Sequence, residues 1–397
     1  MTGDREELDF TCHSSPVTVH GLFMATKKRA GATKRAAKGE GGSGKPARAS
    51  KGAVKSSALA RHRPSVTLVT GGTGFLGSHL VRQLVAEGGK NIRVLSTSAP
   101  AWLAEAGVET AEGSITSADD VARAVAGAES VYHLAGRVSR DPSDAHEMYK
   151  LHVEGTRLLC EAARTAGVRS VVIASTSGTI AVTKDGEIVP DEAWPAPLDI
   201  ISRWPYYASK FYQERTALEH FNGPERRLVI VNPSLLLGPG DDRLSSTKVV
   251  LDFLARKIVA VPGGGLSFVD ARDAAAALIV AMRRGRHGER YLLGAANWTF
   301  EKFFGRLERL TKTAAPRLSL PSSIAVAGAK GLSALYHHWK LAPPVEPAEI
   351  EMAEHFWYVD CTKATRELLF RPRDPQETLH ETVNYVRENL LGDGALA

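Results

Sequence analysis

The chain has 397 residues, 43% of them apolar, and a formal charge of +6, a soluble globular composition long enough for two domains or for one large domain with a tail. No run reaches the ~18 apolar residues of a membrane span. The three cysteines, Cys12, Cys160 and Cys361, are too few and too scattered for a disulfide framework or a metal knuckle, and they suit the reducing cytoplasm.

In chain order, the charge comes first. Residues 1–63 hold 13 Lys/Arg against 5 Asp/Glu, a net +8, while the remainder holds 37 against 39. From residue 24 to 63 Lys, Arg, Ala, Gly and Ser dominate, and such a stretch cannot bury enough surface to offset its ordering entropy. Residues 1–63 are therefore expected to be a disordered basic tail. Its plainer reading is a solvated extension; its sharper one is an arm that gathers nucleic acid without reading sequence. Residues 1–23 lack the basic start, apolar middle and cleavage site of a secretory signal, and Met24 is an alternative start.

Residues 66–70 are β-branched and unbroken, and read as a buried strand feeding into glycines. Within residues 70–78, Gly71, Gly74 and Gly77 stand three apart. Phe75, Leu76, Leu80, Val81, Leu84 and Val85 then recur at helical spacing until Gly88 and Gly89. In such a unit the backbone can approach a ligand closely, and the helix N-terminus offers its free N–H groups to a diphosphate. The competing reading is a structural turn with no ligand.

Residues 92–96 read as a second strand, 118–125 as a helix beginning near Ser117, and 130–136 as a strand running out into Gly136. A helical pattern follows over 145–166, and residues 170–174 form the next strand. Nearly all-apolar strands alternating with helices predict an α/β fold, a doubly wound parallel sheet with ligands at the strand C-terminal ends. An acid about twenty residues beyond the last glycine would bind the ribose 2′-hydroxyl of NAD. That region here is Ser96, Thr97 and Ser98, three hydroxyls with no carboxylate to repel a 2′-phosphate, so NADP is favoured over NAD. Cys160 reads as a packed thiol. No metal-ligand spacing is present, and His287, His337 and His338 read as solvated.

Ser175, Thr176, Ser177 and Thr179 follow the strand at 170–174, which puts their hydroxyls at the cofactor edge of the sheet. Ser177 is the one expected to donate to a substrate oxygen. Tyr206 and Lys210 lie four apart on a predicted helix and share a face. The ammonium favours the ionised phenol and draws its pKa toward the working range, so Tyr206 can serve as general acid or base. Lys210 can also bond ribose hydroxyls. The bland alternatives are a hydroxyl-rich turn and an ordinary surface helix.

Taken together, Thr70-Gly71-Gly72-Thr73-Gly74-Phe75-Leu76-Gly77, His133-Leu134-Ala135-Gly136, Val153-Glu154-Gly155-Thr156, Ser175-Thr176-Ser177, Tyr206 with Lys210, Asn232-Pro233-Ser234, Gly238 to Asp241 and Phe268 to Asp273 resemble the extended short-chain dehydrogenase/reductase family, in family order over residues 65–293. The chain is most similar to its dihydroflavonol-reductase-like and 3β-hydroxysteroid-dehydrogenase-like branch. The resemblance implies a catalytic triad of Ser177, Tyr206 and Lys210 and a diphosphate loop at Gly71, Gly74 and Gly77. It implies further cofactor contacts from Thr73, Phe75, Leu76, Ser96, Thr97, Ser98, Ser114, Ile115, Leu134, Ala135, Gly136, Asn232, Pro233 and Ser234. Three positions depart from the family: His152 stands where Asn is usual, Gly113-Ser114-Ile115 lacks the usual Asp, and Tyr207 adjoins Tyr206.

The same resemblance divides the chain into a Rossmann domain over 64–233, to which 266–294 returns, and a smaller, discontinuous C-terminal substrate domain over 234–265 and 295–397. Residues 228–231 read as a core strand, 269–282 as an Ala-rich helix and 291–293 as an edge strand. Leu235, Leu236 and Leu237 near the pocket suggest an apolar small-molecule substrate. The aromatics Trp339, Phe356, Trp357 and Tyr358 read as packing. Residues 324–336 read as a core or lid helix, with membrane docking as the alternative. The expected activity is hydride transfer between NAD(P) and a carbonyl or secondary alcohol. The alternatives are a nucleotide-sugar epimerase or dehydratase with retained NAD, and a non-enzymatic cofactor-sensing or nucleic-acid-tethered regulator. A homodimer is left open.

Overall fold

The computed structural model describes residues 65–319, 322–339 and 347–391. The basic tail and the histidine side chains at 337 and 338 lie outside the described parts. The first half runs β1 (Val66–Thr70), α1 (Phe75–Ala86), β2 (Ile92–Ser96), α2 (Ala101–Glu105), β3 (Glu109–Glu112), α3 (Ala118–Val125), β4 (Ala128–His133), α4 (Ala145–Tyr149), α5 (Gly155–Thr165), β5 (Ser170–Ala174), α6 (Leu198–Ile201) and α7 (Pro205–His220). The second half runs β6 (Arg227–Pro233), β7 (Leu235–Leu237), α8 (Lys248–Leu254), β8 (Ala260–Val261), β9 (Gly265–Asp270), α9 (Ala271–Arg284), β10 (Arg290–Leu293), β11 (Ala296–Thr299), α10 (Phe300–Thr311), β12 (Leu318–Ser319), α11 (Ser322–His338), α12 (Pro347–Ala353), β13 (Phe356–Trp357), α13 (Thr362–Leu368) and α14 (Pro375–Asn389).

Seven strands form one all-parallel sheet in the order β10-β6-β5-β4-β1-β2-β3. This is the doubly wound Rossmann arrangement, and the chain reverses its winding between β1 and β4. Both faces are covered. Leu80, Val81 and Leu84 of α1 and the alanines of α9 bury one face, while Val121, Leu159, Cys160 and Ala217 of α3, α5 and α7 bury the other. Each helix delivers one apolar stripe to the sheet, so the buried centres of β5 and β6 read as continuous apolar runs. Cys160 is fully buried, and desolvation pushes its thiol up to about 12.

A second sheet is built on β9, which pairs antiparallel with β11 and parallel with β13 and β7. A third core, with Phe253, Phe303, Phe304, Leu379 and Val383, packs against it. Leu237 is fully buried there, and Leu235 and Leu236 pack on the neighbouring cores. The leucines expected at the pocket therefore serve the sheet, because their strand is hydrogen-bonded to β9.

Two local differences from the sequence reading matter. The helix expected over 145–166 is broken by a wider π turn at Lys150–Glu154, which carries His152 and Val153 inward. The Ala-rich helix begins at Ala271, because Val269 and Asp270 complete β9 and the Asp270 carboxylate accepts from Arg272 N–H to cap it.

Candidate active site

At the C-terminal edge of the sheet, β1 ends in a turn that only glycine permits. Gly71 adopts φ +72, and a Cβ there would lie 2.6 Å from the Ala135 nitrogen and the Leu134 carbonyl as the chain leaves β4. A Cβ on Gly77 would lie 2.0 Å from the Gly71 oxygen. The α1 N-terminus is thereby drawn onto the turn. Gly74 supplies its N-cap with no capping side chain, so the first amides of α1, at Phe75, Leu76 and Gly77, lack intrahelical partners. These free donors and the bare cradle fit a dinucleotide diphosphate.

Beside the turn, Thr73 and Ser96 hydroxyls meet at 3.3 Å, and Ser98 N–H donates to Ser96 Oγ at 3.3 Å. Thr97 and Ser98 are exposed at the end of β2. Ser114 N–H is taken by the Asp120 carboxylate at 2.9 Å and its hydroxyl pairs with Thr116 at 2.8 Å. Ile115 is buried in the core against Gly155. At the end of β6, Ser234 N–H donates to Leu293 O, and Asn232 Oδ1 and Ser234 Oγ are buried without a partner among the described residues. Pro233 closes the strand between them. Orphaned polar atoms so close to the sheet edge again fit a bound polar cofactor.

The other half of the site is helix α7. Pro205 at its first position pre-sets the helical φ, which places Tyr206 in the first turn and Lys210 one turn on. Lys210 is buried, and its Nζ donates to Ala174 O at 2.7 Å and to Gln213 Oε1. Burial draws its pKa down to about 8, while the Glu214 charge works in the opposite direction. Against the expectation that Lys210 would draw it down, Tyr206 is pushed up by burial and by neighbouring Tyr207, with Arg140 and the Thr176 hydroxyl favouring its ionised form, because the Lys210 ammonium is turned to Ala174 O and Gln213.

Two hydroxyls stand at the exit of β5: Thr176, half-buried and next to the Tyr206 phenol, and Ser177, which is 4% exposed and begins the short 3₁₀ turn. The turn is pinned from beneath by Glu214. Its Oε1 accepts from Ser175 Oγ, from Thr179 Oγ1 at 2.8 Å and from Asn232 Nδ2 at 2.7 Å, and its Oε2 pairs with Arg290 at 2.8 Å. Pinned so, the turn holds Thr176 and Ser177 at the exit of β5. Sequence reasoning missed Glu214, although Tyr206, Lys210 and Glu214 recur every fourth residue on one helix face.

His152 fills the departure from the family pattern. Ser209 Oγ donates to Tyr206 O at 2.8 Å and so accepts from His152 Nδ1–H at 2.9 Å, which leaves Nε2 to accept from Arg137 N–H at 3.1 Å. One neutral tautomer satisfies all three bonds, and burial holds its pKa well below the ordinary value. His133 is likewise neutral, drawn by burial to about 3, and bridges Thr70 and Thr156 at 2.7 and 2.8 Å. Gln213 joins this chain to Lys210 by donating to Thr156 Oγ1 at 3.0 Å.

Tyr206 and Tyr207 open onto a small cavity of about 40 Å³, walled also by Val138, Arg140, Trp204 and Met352. Of the aromatics read as packing, Trp357 reaches this wall, stacked on Tyr207 at 4.8 Å, while Trp339 is exposed. Gly178 makes the stacking possible, since a Cβ there would lie 2.3 Å from Tyr207. Among the described residues no helix is long and apolar enough to cross a membrane, and no cluster could hold a metal. His287 is exposed and its Nδ1 accepts from Leu228 N–H.

Comparison with known proteins adds independent findings. The family described as NAD dependent epimerase/dehydratase is matched over residues 67–294. Sterol demethylase protein B of Methylococcus capsulatus is 32% identical over 328 residues, covering 81% of this chain and 98% of that protein. Human 3 beta-hydroxysteroid dehydrogenase type 7 is 35% identical over 165 residues, covering 39% of this chain and 44% of that one. The crystal structure of gox2253 superposes with a TM-score of 0.70 at 29% identity, covering 82% of this chain and 99% of that one.

Proposed function

The chain belongs to the NAD dependent epimerase/dehydratase family, in its dihydroflavonol-reductase-like and 3β-hydroxysteroid-dehydrogenase-like branch, and is an NAD(P)-dependent enzyme; from that premise we propose that it is an NADP-dependent oxidoreductase acting on the carbonyl or secondary alcohol of an apolar small molecule. The observation that carries this reading is Tyr206 and buried Lys210 one turn apart on α7 at the exit of β5, with the Tyr206 phenol lining a largely apolar cavity. The names of the two relatives, a sterol demethylase protein and a steroid dehydrogenase, support an apolar, polycyclic substrate.

In reduction, Thr176 and Tyr206 hold the carbonyl oxygen, and Tyr206 gives it a proton as charge develops there. Lys210, buried one turn along α7 and anchored on Ala174 O, would hold the cofactor's ribose hydroxyls beside the phenol. The nicotinamide supplies the hydride. Gly71, Gly74 and the α1 amides would hold the diphosphate, and the unpartnered Asn232 Oδ1 and Ser234 Oγ would be available to the bound cofactor. Thr97 and Ser98, exposed and free of any carboxylate neighbour in sequence, take the 2′-phosphate. Residues 234–265 and 295–397 form the substrate side, and 64–233 with 266–294 the cofactor side.

Titration of NADPH and NADH against the full chain, followed by a panel of bicyclic ketones and nucleotide sugars, tests the reading. NADPH should bind at least about tenfold tighter than NADH, as a charge-assisted phosphate contact implies, and ketones alone should be turned over. Tightly retained NAD with turnover of a nucleotide sugar would replace this reading with the epimerase one.

A further inference from the structure

The cavity beside Tyr206 contains a cation whose hydrogen-bonding capacity is unspent. Two arginines line it, Arg140 and Arg203, and no acidic side chain does among the described residues. Arg203 is committed elsewhere: its Nε donates to Ile200 O, its Nη1 pairs with Glu351, and its guanidinium lies 5.7 Å from the Trp204 ring centre. Arg140 differs. Its Nη1 stands 3.5 Å from Glu349 Oε1 on α12, well outside the about 2.7–2.9 Å of a charge-assisted hydrogen bond, and among the described residues it makes no hydrogen bond.

Its position adds a second observation. Arg140 lines the cavity together with Tyr206 and Tyr207, and its charge favours the ionised form of both phenols. Val138, Trp204 and Met352 of the same lining are apolar, and a cation with unspent donors beside such walls raises the value of any anion that reaches it. A planar guanidinium with five donors matches a carboxylate by two parallel bonds. Glu349 already offers such a carboxylate, at the wrong distance.

We propose that Arg140 is the receptor for a carboxylate carried by the substrate, which takes the place Glu349 holds in this structure. The substrate class is then an apolar hydroxy or keto acid. This deepens, and rests on, the reading of Tyr206 as the reacting end of the site.

The test uses the full chain saturated with NADPH and two fluorescent probes of one shape, naphthalene-2-carboxylate and naphthalene-2-carboxamide. The carboxylate should bind at least about tenfold tighter, Arg140→Gln should bring the two within about twofold, and Glu349→Gln should tighten the carboxylate by freeing the guanidinium. Arg203→Gln should leave the preference in place. Equal affinities in the wild type, a preference that survives Arg140→Gln, or one lost equally in Arg203→Gln would overturn the proposal. Because binding is read without turnover, failure here is distinct from failure of the reductase reading, which ketone reduction surviving in Tyr206→Phe would show.

Discussion

Lys210 is stabilised for chemistry at the expense of the fold. Its pKa falls from 10.5 to about 8 on burial, so below pH 8 the folded protein carries a buried ammonium that the unfolded chain holds in water. The corresponding cost is about 3 kcal/mol. Between about pH 8 and 10.5 the folded state sheds the proton while the unfolded state keeps it, so unfolding free energy from this group rises with pH across that window. Lys210→Met should therefore unfold at a higher denaturant midpoint than wild type at pH 7, with the gap closing above pH 8, while turnover is lost. Neighbouring hydroxyls divide their labour in the same way. Thr176→Ala should lower kcat by about 10²-fold or more, the scale of a lost oxyanion donor, whereas Ser177→Ala should change it less than about threefold. Steady-state kinetics at saturating cofactor separate the two. The sequence reading chose Ser177 from its place after the strand, and the structure sets both hydroxyls in one turn.

At the scale of elements, the glycine turn was fully legible and the helices around it only in part. Three glycines at fixed spacing after an apolar strand specify a backbone path, and that path needs no information from the rest of the chain. Gly77 is its tightest point. Gly77→Ala would set a methyl 2.0 Å from the Gly71 carbonyl, so α1 must move off the turn. NADPH affinity, measured by fluorescence, should fall at least about tenfold while the melting transition stays cooperative, because the displaced contact is local. The break in the helix over 145–166 was not legible. Residues 150–154 have an ordinary helical pattern, and the π turn follows from a tertiary demand, the three bonds of His152 to Arg137 and Ser209 and through Ser209 to Tyr206. Likewise Leu235 to Leu237 have the composition of a pocket wall, and only the pairing of β7 with β9 shows that they line a core.

Over the whole molecule, the parallel sheet and its order could be read from the alternation of strands and helices, since each element carries its own periodicity. The C-terminal third could not. Its second sheet joins β7, β9, β11 and β13 from four separated stretches, and its anchors are ionic and long-range. Buried Asp270 accepts from Arg272, Arg272 reaches Glu381 on α14, and Arg373 pairs with Asp273 at 2.9 Å. These links run from the first turn of α9 to α14 and the segment before it. The cavity at Tyr206 draws its walls from equally separated stretches, the β4 exit, α7 and α12. The account therefore turns on whether that one phenol moves the proton. The most direct measurement compares wild type with Tyr206→Phe in NADPH-dependent reduction of 2-decalone, with NADPH affinity taken on the same samples. We predict a kcat lower by about 10³-fold, within the range of a lost general acid, and an affinity changed less than about threefold. A Tyr206→Phe enzyme that reduces the ketone at the wild-type kcat would contradict the account.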